Sequence, residues 1–217
     1  MWIYLSHKIS LKTPSYGGGP GLKLQPYKQI ERGDSSNSYI ITLYNHLGTH
    51  VDAPNHFMAG GRSISQFRPE EFFFNTPVLI DIPKDVGGLV TREELEDFHD
   101  IIAACDILLL RTGFQRYREE DPDAFMSRGP CLGADAARYL RSFPKLRAVG
   151  VDMISISSPI HRDEGRKAHR ELLSRDDFLI VEDMDLMGKP RKIIRIVIAP
   201  IMIEDVDSTP CLVLAEV

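Results

Sequence analysis

The chain has 217 residues, of which 43% are apolar and 26% charged, with a formal net charge of −5. That is room for one well-buried core, and a single domain over 1–217 is the expectation. Acidic and basic residues are interspersed, so the basic stripe that nucleic acid requires is missing. The longest late apolar run, IIRIVIAPIMI, is short and holds Arg195 and Pro200, which excludes a membrane span there.

In chain order, the opening MWIYLSHKIS lacks a basic start followed by an apolar core, and a cytoplasmic protein is expected. Residues 1–9 and 38–44 read as strands from their β-branched and aromatic content. The region between them reads as loop, with GGGPG at 17–21 and ERGDSSNS at 31–38. GGGPG lacks the G-K-[ST] ending and the following helix of a phosphate loop. The run Phe72-Phe73-Phe74 fits core, an oligomer interface or a pocket wall. PVLIDI at 77–82 is a strand. Thr91 and Glu94 form a capping box that opens a helix to about Ile102. Strands are expected at 106–113, 146–153, 178–183, 191–200 and 211–217, and helices at 133–143 and 164–174. EDVD at 204–207 reads as a solvated turn. Helices separate the middle strands, which indicates an α/β fold with a mixed sheet. Cys105, Cys131 and Cys211 stand far apart and read as reduced, buried thiols.

The chemistry is concentrated at residues 44–57, YNHLGTHVDAPNHF, where His46, His50, Asp52 and His56 fall together in a chain with seven histidines. Gly48 and Pro54 oppose a helix here. In an extended chain every even position shares one face, so all four polar groups would line up while Leu47, Val51 and Ala53 pack behind them. Full extension would separate His46 from His56 by roughly 33 Å at about 3.3 Å per residue. One site therefore needs the chain to bend, and Gly48 and Pro54 are the places for it. Imidazoles and a carboxylate are the donor set of zinc, manganese or iron, and clustered without a cation they would repel or go unsatisfied. His169 lies on the apolar face of its helix with Leu172 and Leu173, and Glu182 ends a buried strand. A satisfied core pair and a ligand pair are both open for these two.

At these residues the chain resembles the cyclase-like metal hydrolases that include bacterial kynurenine formamidase. The family signature H-x-G-T-H-x-D-x-P-x-H is matched at every fixed position from His46 to His56. LLLRTGF at 108–114, CLGADAARYL at 131–140, AVGVDMISIS at 148–157, HRELL at 169–173 and IVED at 180–183 resemble its further segments. The resemblance implies a swivelling β/β/α domain assembled as a homodimer or homotetramer. It implies one or two divalent ions, zinc first and manganese second. His46, His50 and Asp52 would hold one ion, and Asp52 would bridge to another held by His169 and Glu182. His56 would stay off the metal as the proton donor and acceptor. The implied reaction is hydrolysis of a small amide-type bond, with N-formylkynurenine or a related formamide as substrate. Cyclic amide or lactone opening and a cyclase or lyase step are the neighbouring possibilities, and a structural or storage metal protein is the non-enzymatic one. Tyr16 and Phe57 are candidate aromatic substrate contacts. The N-terminal loop, Ser15 to Gly21, departs from the family's usual aromatic-P-G-D.

Overall fold

The computed structural model describes all residues, Met1–Val217. Its strands are β1 (Trp2–Tyr4), β2 (Lys23–Lys28), β3 (Ser38–Thr42), β4 (His50–Asp52), β5 (Phe73–Phe74), β6 (Pro77–Asp81), β7 (Leu89–Val90), β8 (Ile107–Arg111), β9 (Cys131–Leu132), β10 (Ala148–Val151), β11 (Leu179–Glu182), β12 (Arg195–Pro200) and β13 (Ser208–Glu216). The helices are α1 (Arg92–Glu96), α2 (His99–Ala104), α3 (Tyr117–Glu120), α4 (Pro122–Ser127), α5 (Ala134–Arg141) and α6 (Arg162–Leu173).

One large mixed sheet runs in the order β5-β12-β13-β4-β11-β10-β8-β6, with β1 also paired to β13. β6, β8, β10 and β11 are parallel, and β4 turns the sheet antiparallel. The two end strands, β5 and β6, are separated only by Asn75 and Thr76, whose amides both donate to Asp106, at 2.7 and 3.0 Å. The sheet thus wraps nearly into a barrel. Side chains alternate across it as the pleat requires. Ile107 and Leu109 of β8 and Leu179 and Val181 of β11 fill the inner core with Val51, Val213 and Ala215. Leu108, Leu110, Val149, Val151 and Ile180 face outward and are covered by α5 and α6.

The α/β fold and mixed sheet match the expectation, and most strands fall where expected. Three details differ. The region between the first two strands is not all loop: Lys23–Lys28 forms a strand paired with β3 in an exposed hairpin. Neither of its faces is buried, so it carries no hydrophobic alternation to read. The helix expected from Thr91 to Ile102 is two short ones. The capping box forms, with the Thr91 amide donating to Glu94 at 2.9 Å, but Phe98 leaves helical geometry (φ −111°, ψ 15°) to pack on the helix-side core. β1 is shorter than expected, and Ser6 instead bridges to Met184. The phenylalanine run resolves into two core residues, Phe72 and Phe74, around an exposed Phe73.

Two of the matched motifs explain each other. The amides of Thr112 and Gly113, at the end of β8, donate to the Asp152 carboxylate after β10 at 2.9 and 2.8 Å. This clamp holds the carboxyl ends of neighbouring parallel strands together, and in open α/β sheets that is where ligands bind.

Candidate metal centre and cleft

β4 runs antiparallel to β11 with His50 opposite Glu182 and Asp52 opposite Ile180. Ile180 belongs to the helix-side core, so all three polar residues project to the same face, toward α6. Leu47, Val51 and Ala53 are fully buried behind them, as the alternation predicts. Gly48 makes the bend. Its φ is +68°, a conformation that favours glycine, and a Cβ there would meet Ile9 at 3.1 Å. Pro54 opens the turn Pro54–His56 that brings His56 back over the cluster. His169 arrives from α6, which comes in close because of Gly165: a Cβ at that position would sit 2.1 Å from Ser157 Oγ.

The structure therefore brings together all six residues singled out in the sequence as ligands or catalyst. The donor atoms of His50, Asp52 and Glu182 lie within 4.8 Å of one another, as do those of His46, Asp52 and His56. His50 Nε2 is 3.3 Å from Glu182 Oε2, and His169 Nε2 is 3.4 Å from Glu182 Oε1. Asp52 stands between the groups, 3.2 Å from His46 Nδ1, 3.7 Å from His50 Nε2 and 4.0 Å from both His56 Nε2 and His169 Nε2.

Backbone carbonyls fix two of the imidazoles. His50 Nδ1 donates to Gly48 O at 2.7 Å, and His169 Nδ1 donates to Gly165 O at 2.8 Å. Each Nε2 is thereby turned toward the carboxylates as a ligand atom. Glu182 Oε1 accepts from Ser155 Oγ at 2.9 Å and from the Ile156 amide at 2.7 Å. Within this network His50 Nε2 and both oxygens of Asp52 are buried without a hydrogen-bond partner. A bare carboxylate buried in this way costs several kcal/mol, roughly, unless a cation accompanies it. The residues fit a divalent metal on that ground: two oxygens and an imidazole nitrogen, all buried, all aimed at one small volume, all of a type that zinc or manganese accepts.

The electrostatics agree. Burial alone would raise the Asp52 and Glu182 carboxyls, but the surrounding histidines outweigh it, holding Asp52 well below the carboxylate range and Glu182 at about 2. Burial would lower His46, yet Asp207 and Asp52 raise it to about 11. His50 and His169 are raised as well, with Glu182 outweighing their burial. Protons on the histidines would balance these carboxylates, and a cation would do the same.

Asp207 is the residue that sequence reasoning missed. It is no solvated turn residue: its Oδ2 accepts from His46 Nε2 at 3.0 Å and from His56 Nδ1 at 2.7 Å, and Asn45 Nδ2 donates to its Oδ1 at 2.8 Å. Its position directly before the buried Ser208 and Thr209 was the available signal. Above the cluster is a cleft of about 380 Å³, lined by Tyr16, Tyr44, Phe57, Ser157, Arg162 and Arg166 together with the histidines. Phe57 stacks on His169 with ring centres 4.5 Å apart, and the Tyr16 hydroxyl is 3.3 Å from Ser157 Oγ. Both aromatic residues expected at the substrate therefore stand in its wall. His161 does not join the cluster: its Nε2 donates to Gly87 O at 2.9 Å.

The family model described as "Putative cyclase" matches residues 3–158. The chain belongs to the Cyclase family. A kynurenine formamidase from Bacillus anthracis is 28% identical over 211 residues, spanning 96% of this chain and 94% of its own. A solved structure described as a potential metal-dependent hydrolase with cyclase activity is 26% identical, with a TM-score of 0.74, covering 99% of this chain and 96% of that one. Isatin hydrolase A from Ralstonia solanacearum shares the fold, with a TM-score of 0.83 at 21% identity over 99% of this chain and 91% of that one. The Cyclase match contains His46, His50, Asp52 and His56, whereas His169, Glu182 and Asp207 lie beyond it and join the cluster through the fold.

Proposed function

We propose that this Cyclase-family chain is a metal-dependent hydrolase of a small amide-type C–N bond, with N-formylkynurenine or a related aryl formamide as substrate. The observation that carries the reading is Asp52, a fully buried carboxylate with four histidines within 4.0 Å and shared by two groups of donors at the floor of an aromatic-walled cleft. His46, His50, Asp52, His169 and Glu182 would hold one or two divalent ions, zinc or manganese. When bound, such an ion lowers the pKa of a water to about 7 and polarises a carbonyl.

The chain's own residues supply the rest. His56 is assigned to proton transfer because its side chain is the most open of the four, 24% exposed against 3% for His50 and His169. With Nδ1 donating to Asp207, His56 Nε2 is left free beside the donor cluster, 4.0 Å from Asp52 Oδ2, to act as a base. Water adds to the carbonyl carbon as Nε2 takes its proton. The C–N bond then breaks as the same proton passes to the departing nitrogen. Asp207 keeps the ring in the required tautomer, the orienting role a carboxylate plays beside a catalytic histidine. Tyr16 and Phe57 pack against the aromatic leaving group. We further infer that residues 1–217 work as one domain in a cytoplasmic homodimer or homotetramer. No helix is long and apolar enough to cross a membrane.

The test is metal analysis of the purified protein, followed by assays with formamides, cyclic amides and lactones after each metal is restored. Formamide hydrolysis that is lost on chelation and returns with zinc or manganese is expected. Full metal occupancy with no hydrolysis across the panel would overturn the reading.

A further inference from the structure

Arg162 and Arg166 are absent from the metal cluster, yet both line the cleft above it. They lie four residues apart on α6, and His169 follows three residues later on the same face. Their placement opposes the helix's own energetics. Arg162 is the first residue of α6, where the helix dipole disfavours a cation, and two like charges at this spacing repel. Both side chains are exposed and free of ion pairs: no carboxylate lies within 4.0 Å of either. The nearby Glu164 is taken by Lys167 at 3.1 Å and by the Ala134 amide at 3.3 Å. Two unpaired forks of donors beside a reaction cleft are the arrangement that recognises a carboxylate.

We propose that Arg162 and Arg166 form an anion-recognition wall, and that the preferred substrate is a small aryl amide or formamide carrying a carboxylate. The reaction in this statement rests on the hydrolase reading above, while the charge preference rests on the arginines alone. At about 1.5 Å of rise per residue, Arg166 and Arg162 stand roughly 4.5 and 10.5 Å along the helix from His169. A carboxylate at the far end of a small aryl substrate would reach this part of the cleft wall while its carbonyl sits at the donor cluster. The helix N-terminus beside Arg162 adds its own attraction for the anion.

The experiment compares 3-formamidobenzoate with the neutral 3-formamidobenzamide, using metal-loaded wild type, R162Q/R166Q and R166K. Wild type is expected to favour the carboxylate, and the double glutamine variant to lose about 10- to 100-fold more kcat/KM on it than on the amide, chiefly through KM. R166K should lose less of the preference than the double variant, because it keeps Arg162 and the charge at position 166 but gives up the fork there. An equal loss on both compounds, or a wild type with no preference, would overturn the proposal. A binding measurement with 3-phenylpropionate and 3-phenylpropionamide separates the two readings. If no formamide is cleaved but the carboxylate still binds in an arginine-dependent way, the wall stands and the hydrolase assignment falls. If R162Q/R166Q binds the carboxylate as tightly as wild type does, the wall falls whatever the turnover.

Discussion

The donor cluster has a deep half and a shallow half, and they hold their histidines by different means. In the deep half, His50 and His169 each give a proton to a backbone carbonyl, Gly48 O and Gly165 O. A carbonyl does not titrate, so this support stays unchanged as pH changes. In the shallow half, His46 and His56 both lean on one carboxylate, Asp207. That support is charged, partly exposed and titratable. On the proposed reading, the deep half positions ligands, and the shallow half combines one ligand, His46, with the proton carrier His56. Asp52 is the one carboxylate within 4.0 Å of histidines in both.

The comparison breaks most completely at Asp52. Asp52→Asn removes the charge that both halves share while keeping the shape. Metal content should fall to background, and kcat/KM should drop by at least about 1,000-fold, equivalent to about 4 kcal/mol. Stoichiometric metal with turnover within tenfold of wild type would show that the two halves do not meet at this carboxylate. His56→Ala comes next. If the shallow half moves protons, this variant keeps its metal and loses about 100- to 10,000-fold in kcat with little change in KM. Loss of metal instead would make His56 a ligand, a role that its place within 4.8 Å of His46 and Asp52 donors makes geometrically open.

Legibility in the sequence cuts across the two halves. His46, His50, Asp52 and His56 share one short stretch, where alternation and two bend-forming residues are local signals. His169 and Glu182 could be seen as buried polar residues, but choosing between a core pair and a ligand pair needed the β4–β11 register that puts Glu182 opposite His50. Asp207 left almost no trace, since it sits 161 residues from His46 and 151 from His56 within an acidic turn that looks solvated. The fold shows the same division. β8, β10 and β11 bury both faces and announce themselves as apolar runs, whereas β2 buries neither and is defined only by pairing with β3.

Asp207→Asn is the finest probe of the difference, and its sign can be worked out. In the metal-free protein the Asp207 carboxyl is held below its usual range: burial raises it, but His46 and His56 outweigh that. Its contribution to stability is therefore present above about pH 4 and is lost as pH falls through the lowered value. His46 runs the other way. Raised to about 11, it contributes fully below about pH 6.5 and loses that contribution only as pH rises through about 11. At pH 7 the metal-free His46 thus carries a proton on the nitrogen facing Asp52, and cation uptake must displace it. Wild type should release roughly one proton from this residue per cation bound, and its metal affinity should rise with pH. Asp207→Asn removes one of the two carboxylates that retain that proton, so fewer protons should be released. Activity should fall by about 10- to 100-fold, as is usual when a residue orienting a site histidine is lost. Calorimetric titration of zinc in two buffers of different ionisation enthalpy reads the proton count directly. An identical count in wild type and variant would mean that Asp207 orients His46 and His56 without tuning them, and the shallow half would then differ from the deep half in position alone.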